Sequence, residues 1–328
     1  MTGTDTRGEA LARERERFRD ELVEAGLLVR TGIDGLYGRG GDFEDVVDLV
    51  SAAAVAAARL DEAETAGQAA MSGPAPGGYR RLRFPPVFPR EDFERTDYIA
   101  SFPDLTGAVH TFAGGDREHA ALLADRAGGR DWDGHLSPAG TMLVSAACHP
   151  WYGRLAGELP EGGASADIRG YCFRHEPAVD PARMQAFRMH EFVRVGTPDD
   201  AVAHRERWIG RGLAVLAELG LDAEPVVAND PFFGRAGRML AKGQRDENLK
   251  TELVVRLYGD LDDGTAVVSA NCHREHFGDT FGIRTADGGV AHSACVGFGL
   301  ERVTLALLRT HGLELDSWPA ALRERMGR

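Results

Sequence analysis

At 328 residues and 43% hydrophobic content the chain can bury a large core, so one catalytic domain with a modest appendage is expected. Its 38 basic against 51 acidic residues leave a formal charge of -13, which repels a phosphate backbone and makes nucleic acid a poor first partner. No apolar run approaches the roughly 20 residues needed to cross a bilayer, and Met1 to Arg19 is charged rather than signal-like, so no membrane and a cytoplasmic location are expected.

Leu11, Phe18, Leu22, Ala25 and Val29 recur at helical spacing and predict a first amphipathic helix. After a glycine-rich break from Gly32 to Gly41, Phe43, Val46, Val47, Val50 and Ala54 repeat that period and predict a second. Ser72 to Gly78, with Pro74 and Pro76, cannot continue a helix, which divides the chain into a helical segment, 1–78, and a catalytic domain, 79–328. Beyond it, strand-like runs follow at Leu82 to Phe84, Met142 to Ala146, Gly170 to His175, Phe187 to Val195, Leu253 to Tyr258 and Ala266 to Ala270. Few are separated by helix-length connections, which favours an α+β fold with a mainly antiparallel sheet. Ile209, Leu213, Leu216 and Leu219 predict a helix between two strands, and a last helix should begin near Gly299.

Two stretches carry chemistry. Gly170-Tyr-Cys-Phe-Arg-His-Glu-Pro177 and Phe187-Arg-Met-His-Glu-Phe-Val-Arg-Val195 read as a hairpin with a long loop. Strand alternation puts Arg174 and Glu176 on one face, and Phe187, Met189, Glu191 and Val193 on one face of the partner strand. Such a set suits a ligand, although a cross-strand ion-pair ladder has the same composition. In Cys295-Val-Gly-Phe-Gly-Leu-Glu-Arg302, the glycines permit close approach and Arg302 enters the first turn of a helix, where it can meet a phosphate. Alone, this pattern is equally a tight strand-to-helix turn. Cys148, Cys172, Cys272 and Cys295 form no CxxC pair and taken singly are buried thiols.

In this order the stretches resemble motifs 2 and 3 of class II aminoacyl-tRNA synthetases, most closely the seryl type. Arg83-Phe-Pro-Pro86 with Phe88-Pro-Arg is similar to the proline-bearing motif 1. Ala147-Cys-His-Pro150, Asp180-Pro-Ala-Arg-Met-Gln185 and Ser269-Ala-Asn-Cys-His-Arg-Glu-His-Phe-Gly278 narrow the resemblance to the amino acid:[carrier protein] ligases, truncated relatives of atypical seryl-tRNA synthetases. The resemblance implies a class II synthetase-like catalytic domain, a six- or seven-stranded antiparallel sheet flanked by helices, and a homodimer. It implies ATP-dependent activation of a small amino acid (glycine, alanine or serine) to an adenylate, then transfer to the phosphopantetheine thiol of a carrier protein. Carried over by motif position, Cys148, Glu191 and Cys295 hold one Zn2+ per subunit, with His149 a rival ligand. Arg174 takes the α-phosphate, Arg302 the γ-phosphate, Glu176 the adenine amino group and Phe187 its ring; Glu252 is a candidate Mg2+ ligand, and Ser269 and Asn271 lie near the adenylate. His273 and His276 are given a packing or substrate-contact role. Arg205, Arg207 and Arg211 offer a surface for an acidic carrier, with a solvated face as the plainer reading.

Two other functions remain open at this point. An atypical seryl-tRNA synthetase would share the chemistry, yet the acidic helical segment before the core is unlike a basic tRNA-binding arm, so tRNA is not expected. A non-catalytic, synthetase-like regulatory binding protein could dispense with the nucleotide-binding residues, yet Arg174, Glu176, Phe187 and Arg302 are all present.

Overall fold

A computed structural model of the chain describes residues 3–72, 78–228 and 249–328. Helix α1, Gly3–Glu24, stops earlier than its apolar period suggests, because Gly26 at φ +70° lets the Leu27 N–H turn back to the Leu22 carbonyl at 2.9 Å. Val29 therefore lies in a short strand, Leu28–Arg30, paired antiparallel with Tyr37–Arg39 across the glycine-rich break. Helix α2 follows at Gly41–Ser72; the proposed boundary from Ser72 to Gly78 falls mostly outside the described residues.

The centre is a seven-stranded sheet of β1 (Arg80–Leu82), β2 (Ala164–Phe173), β3 (Ala186–Gly196), β4 (Glu224–Val227), β5 (Lys250–Val255), β6 (Thr265–Arg274) and β7 (His292–Gly299). The order is β4-β5-β6-β7-β3-β2-β1, antiparallel throughout except that β1 joins β2 in parallel. The run expected at Met142 to Ala146 is instead the end of a strand, Leu136–Leu143, in a separate three-stranded sheet with Val87–Pro89 and Ala108–Phe112. Helix α3, Pro198–Glu218, joins β3 to β4, and α4, Leu300–His311, follows β7. Among the described residues no helix is long and apolar enough to cross a membrane.

Strand alternation splits the core in two. Phe192, Val268, Ala270, Val296 and Phe298 face one way and share an apolar cluster with α1, α2, α3 and α4. Ile168, Val193, Val195 and Cys295 face the other and pack against Phe88, Trp151, Tyr152 and Phe277. The helices thus cover one face of the sheet, and the other is left to the short elements that build the site.

The arginines of α3 do not form a receiving surface. Arg207 and Arg211 both direct Nε at Asp61 Oδ1 on α2, at 3.0 and 3.1 Å, and Arg205, buried, donates to Thr251 Oγ1 at 2.6 Å. Helical period shows which residues share a face but not what faces them, and here it is α2. Burial by itself would raise the Asp61 carboxyl, but hydrogen bonds from Tyr79 and Arg207 outweigh it and hold it below the usual range. A depressed folded value means stability that is present above the unfolded value near pH 4 and lost as pH falls through the folded one. Asp61→Asn is therefore expected to cost about 3 kcal/mol at neutral pH. In chemical denaturation, its deficit against wild type should shrink below roughly pH 4.

Candidate active site

The face of the sheet away from the helices carries a polar row set by register. Glu252 lies opposite Ser269, Ser269 opposite Gly297, and Gly297 opposite Glu191. Residues paired across antiparallel strands share a face, so these belong to one surface. Two positions along, Asn271 pairs with Cys295, and Phe187 lies on the same face of β3 as Glu191. A Cβ on Gly297 would meet Met189 Cε at 2.8 Å and Glu191 Cγ at 3.3 Å, so glycine here gives Glu191 its space.

Cys148 comes from outside the sheet, at the start of a short helical turn, His149–Tyr152, that packs onto it. Its sulfur, a Glu191 carboxylate oxygen and the Cys295 sulfur lie within 4.8 Å of one another, all buried. Glu191 Oε1 accepts the Ala147 N–H at 2.7 Å, which ties the Cys148 turn to β3. Asn271 Nδ2 and His273 Nε2 approach Cys295 Sγ at 3.7 and 3.6 Å.

Three acidic groups buried together disfavour ionisation. Burial first, then the Cys295 charge, pushes Glu191 up to about 7. The two thiols share a hydrogen bond, which with burial pushes Cys148 up and, against burial and aided by His273, holds Cys295 below the usual thiol range. The buried Tyr152 hydroxyl stands beside Cys148. A cluster of this kind has room, electrostatically, for a divalent cation. Two thiolates and one carboxylate suit zinc, and three protein donors leave a fourth tetrahedral position open. His149 falls outside this group: its Nδ1 contacts Ser145 Oγ at 3.1 Å.

The nucleotide candidates stand at the ends of the same strands. Strand β2 ends at Phe173, so Arg174 and Glu176 do not alternate along a strand as expected; the Glu176 N–H turns back to the Arg174 carbonyl at 2.7 Å. The Arg174 guanidinium lies over the Phe187 ring, 5.4 Å from its centroid, and reaches the Ser145 carbonyl at 3.3 Å. Glu176 faces Arg183 at 3.4 Å. Arg302, in the first turn of α4, donates to the Ala182 carbonyl at 2.9 Å and the Ala266 carbonyl at 3.2 Å, and makes no ion pair among the described residues. Burial, followed by the Arg174 charge, lowers its pKa. The two guanidinium groups thus stand near enough to repel each other, an arrangement suited to anionic oxygens. Glu252 pairs with Lys250 at 3.0 Å, and Ser269 and Asn271 contact each other at 3.2 Å.

His273 is the residue that sequence reasoning placed least well. It was given no more than a packing or substrate-contact role, and it lies on β6 on the face of Asn271, at a register shift where Arg274 takes φ +52°. Glu301 was quoted only as part of a motif. It is buried, and accepts the Arg188 backbone N–H at 2.6 Å and Arg188 Nε at 2.7 Å, fastening β3 to α4.

No family model matches the chain. It is 42% identical over 310 residues to amino acid–[acyl-carrier-protein] ligase 1 of Bradyrhizobium diazoefficiens, covering 94% of this chain and 89% of that one. A type-2 serine–tRNA ligase of Methanopyrus kandleri is 30% identical over 206 residues, 58% of this chain and 38% of that one. The crystal structure of the M. kandleri seryl enzyme with A. aeolicus selenocysteine tRNA superposes with a TM-score of 0.74 at 22% identity, over 94% of this chain and 60% of that one, and shares the class II synthetase fold.

Proposed function

Since the chain belongs to the amino acid–[acyl-carrier-protein] ligases, we propose that it activates glycine, alanine or serine with ATP and passes the aminoacyl group to the phosphopantetheine thiol of a carrier protein. The observation that carries the site assignment is the convergence of a Cys148–Glu191–Cys295 donor set and two opposed guanidinium groups at one side of a single sheet.

The amino-acid carboxylate attacks the α-phosphorus, the bond to the β-phosphate bridging oxygen breaks, and pyrophosphate leaves. Phosphoryl transfer of this kind rests on positioning and charge neutralisation. Arg174 is assigned to the α-phosphate and Arg302 to the γ-phosphate, holding the chain of phosphates in line. Phe187, which already stacks under a planar cation, takes one face of the adenine ring, and Glu176 accepts from its amino group. Glu252 would hold magnesium together with the phosphates, and magnesium supplies further neutralisation of phosphate charge. Cys148, Glu191 and Cys295 would hold zinc, which would supply a Lewis acid able to select substrates with a neutral amine over ligands lacking one. Ser269 and Asn271, on the sheet face of Glu191 and Cys295, donate hydrogen bonds to the adenylate. In the second step the phosphopantetheine sulfur, having lost its proton, attacks the acyl carbon; the bond to AMP breaks and an aminoacyl thioester forms.

Four free cysteines, two of them in the donor set, suit a reducing compartment, and we assign the protein to the cytoplasm, as a homodimer. A screen of amino-acid-dependent pyrophosphate exchange tests the first step. The proposal expects exchange with one or more small amino acids, and its abolition by a zinc chelator with restoration by added zinc. Exchange with none of them, metals supplied, would remove it.

A further inference from the structure

The loop between β2 and β3, Arg174 to Gln185, carries more than Arg174 and Glu176: it also supplies the carbonyl on which Arg302 rests. Arg302 Nε donates to Ala182 O at 2.9 Å, and the Arg174 backbone N–H donates to Gln185 O at 2.8 Å. The Arg302 guanidinium and the Arg174 backbone are therefore both held by carbonyls of one loop, three residues apart. Connections of this length are ordinarily surface features. Here Asp180, Ala182, Met184 and Gln185 are all buried.

What buries them is the N-terminal segment, at two points. Arg15 of α1 places Nε 2.8 Å from Asp180 Oδ2; its N–H is not aimed along that line, so the contact is one of charge. Asp180 Oδ1 accepts the Tyr258 hydroxyl at 2.5 Å and the Ala182 N–H at 2.9 Å, so the carboxylate holds the same residue whose carbonyl receives Arg302. Tyr258 in turn lies under Arg15, 5.6 Å from guanidinium to ring centroid. At the other end of the loop, Gln185 donates its backbone N–H to Gly35 O and its side-chain Nε2 to Asp34 O, each at 2.8 Å. Gly35 has φ +77°, and a Cβ there would meet Arg183 O at 3.1 Å, so the approach is as close as a backbone without a side chain permits.

We propose that the N-terminal segment is part of the nucleotide site: Arg15 and Asp180, with Tyr258, are positioning residues that set the spacing of Arg174 and Arg302 by clamping the loop both depend on. The inference rests on the nucleotide roles proposed above for those two arginines. A shift of about an ångström in either guanidinium weakens contacts to phosphate, while the donor set, with Glu191 and Cys295 in mid-sheet on β3 and β7 and Cys148 on a separate turn, is left in place.

The test is ATP binding by calorimetry on the full chain without amino acid, with Km values for ATP and amino acid from exchange assays, melting temperature and metal content. Arg15→Gln and Tyr258→Phe are each expected to weaken ATP binding by roughly tenfold, leaving the amino-acid Km and metal content unchanged. Arg15→Lys, which keeps the charge, should recover most of the affinity. Arg7→Ala removes an exposed ion pair from the same helix, to Asp263 at 3.0 Å, and should leave ATP binding at the wild-type value. Should Tyr258→Phe fail to fold, Arg15→Gln decides alone, since that side chain is one-third exposed. ATP binding at wild-type strength in Arg15→Gln, or a loss that Arg7→Ala reproduces, overturns the inference and leaves the ligase reading standing. A wild-type protein that does not bind ATP overturns both.

Discussion

Arg302→Ala is expected to lower amino-acid-dependent pyrophosphate exchange by about a thousandfold or more. The size follows from where the side chain stands. Its guanidinium is held by two backbone carbonyls, Ala182 and Ala266, and makes no ion pair among the described residues. Burial and the facing Arg174 cation lower its pKa, a cost in folding that an anion between the two groups would relieve. Arg302→Lys should recover only a small part of the rate, because an ammonium cannot keep both carbonyls and a phosphate oxygen in one plane. A drop below tenfold in Arg302→Ala, with ATP saturating, would show that the reaction does not pass between these arginines.

Cys295→Ser is expected to lower metal affinity by more than about a hundredfold and exchange activity with it, while ATP binding measured without amino acid changes little. The separation follows from the fold: Cys295 is paired with Asn271 and Val193 in mid-sheet, whereas Arg302 and Arg174 lie beyond the ends of β7 and β2. Serine is a poor zinc ligand at neutral pH and nearly isosteric, so the core should tolerate it. Glu191→Gln tests the oxygen donor in the same way. It removes the carboxyl that burial and the Cys295 charge push up to about 7, so the metal-free protein should gain stability as the metal-bound form is lost. Zinc content by elemental analysis, with ATP titrated calorimetrically, distinguishes this from general misfolding.

Motif spacing carried the sheet a long way, because strand alternation is strict. Glu191 and Cys295 are remote in sequence, yet each has the parity of its strand's site face, and β3 and β7 are neighbours. Alternation failed where a strand ended unannounced: nothing in Phe173-Arg-His-Glu shows that β2 stops before Arg174, where the Glu176 N–H turns back to the Arg174 carbonyl. It also could not say that Leu136–Leu143 belongs to another sheet, or that β1 enters in parallel. The arginines of α3 were invisible for a different reason. Charge on a helix face reads as solvent or partner, and only the long-range packing of α2 shows that Arg207 and Arg211 close on Asp61. Arg15 and Asp180 lie 165 positions apart, and their pairing has no local signature.

Mass spectrometry of a carrier protein incubated with the enzyme, ATP, magnesium, zinc and glycine, alanine or serine tests the central claim most directly. The account predicts a mass gain of one aminoacyl residue on the phosphopantetheinylated carrier, none on the carrier lacking phosphopantetheine, and release of the label by hydroxylamine as expected for a thioester. Acylation of total tRNA in parallel, with the loaded carrier unchanged, would contradict it.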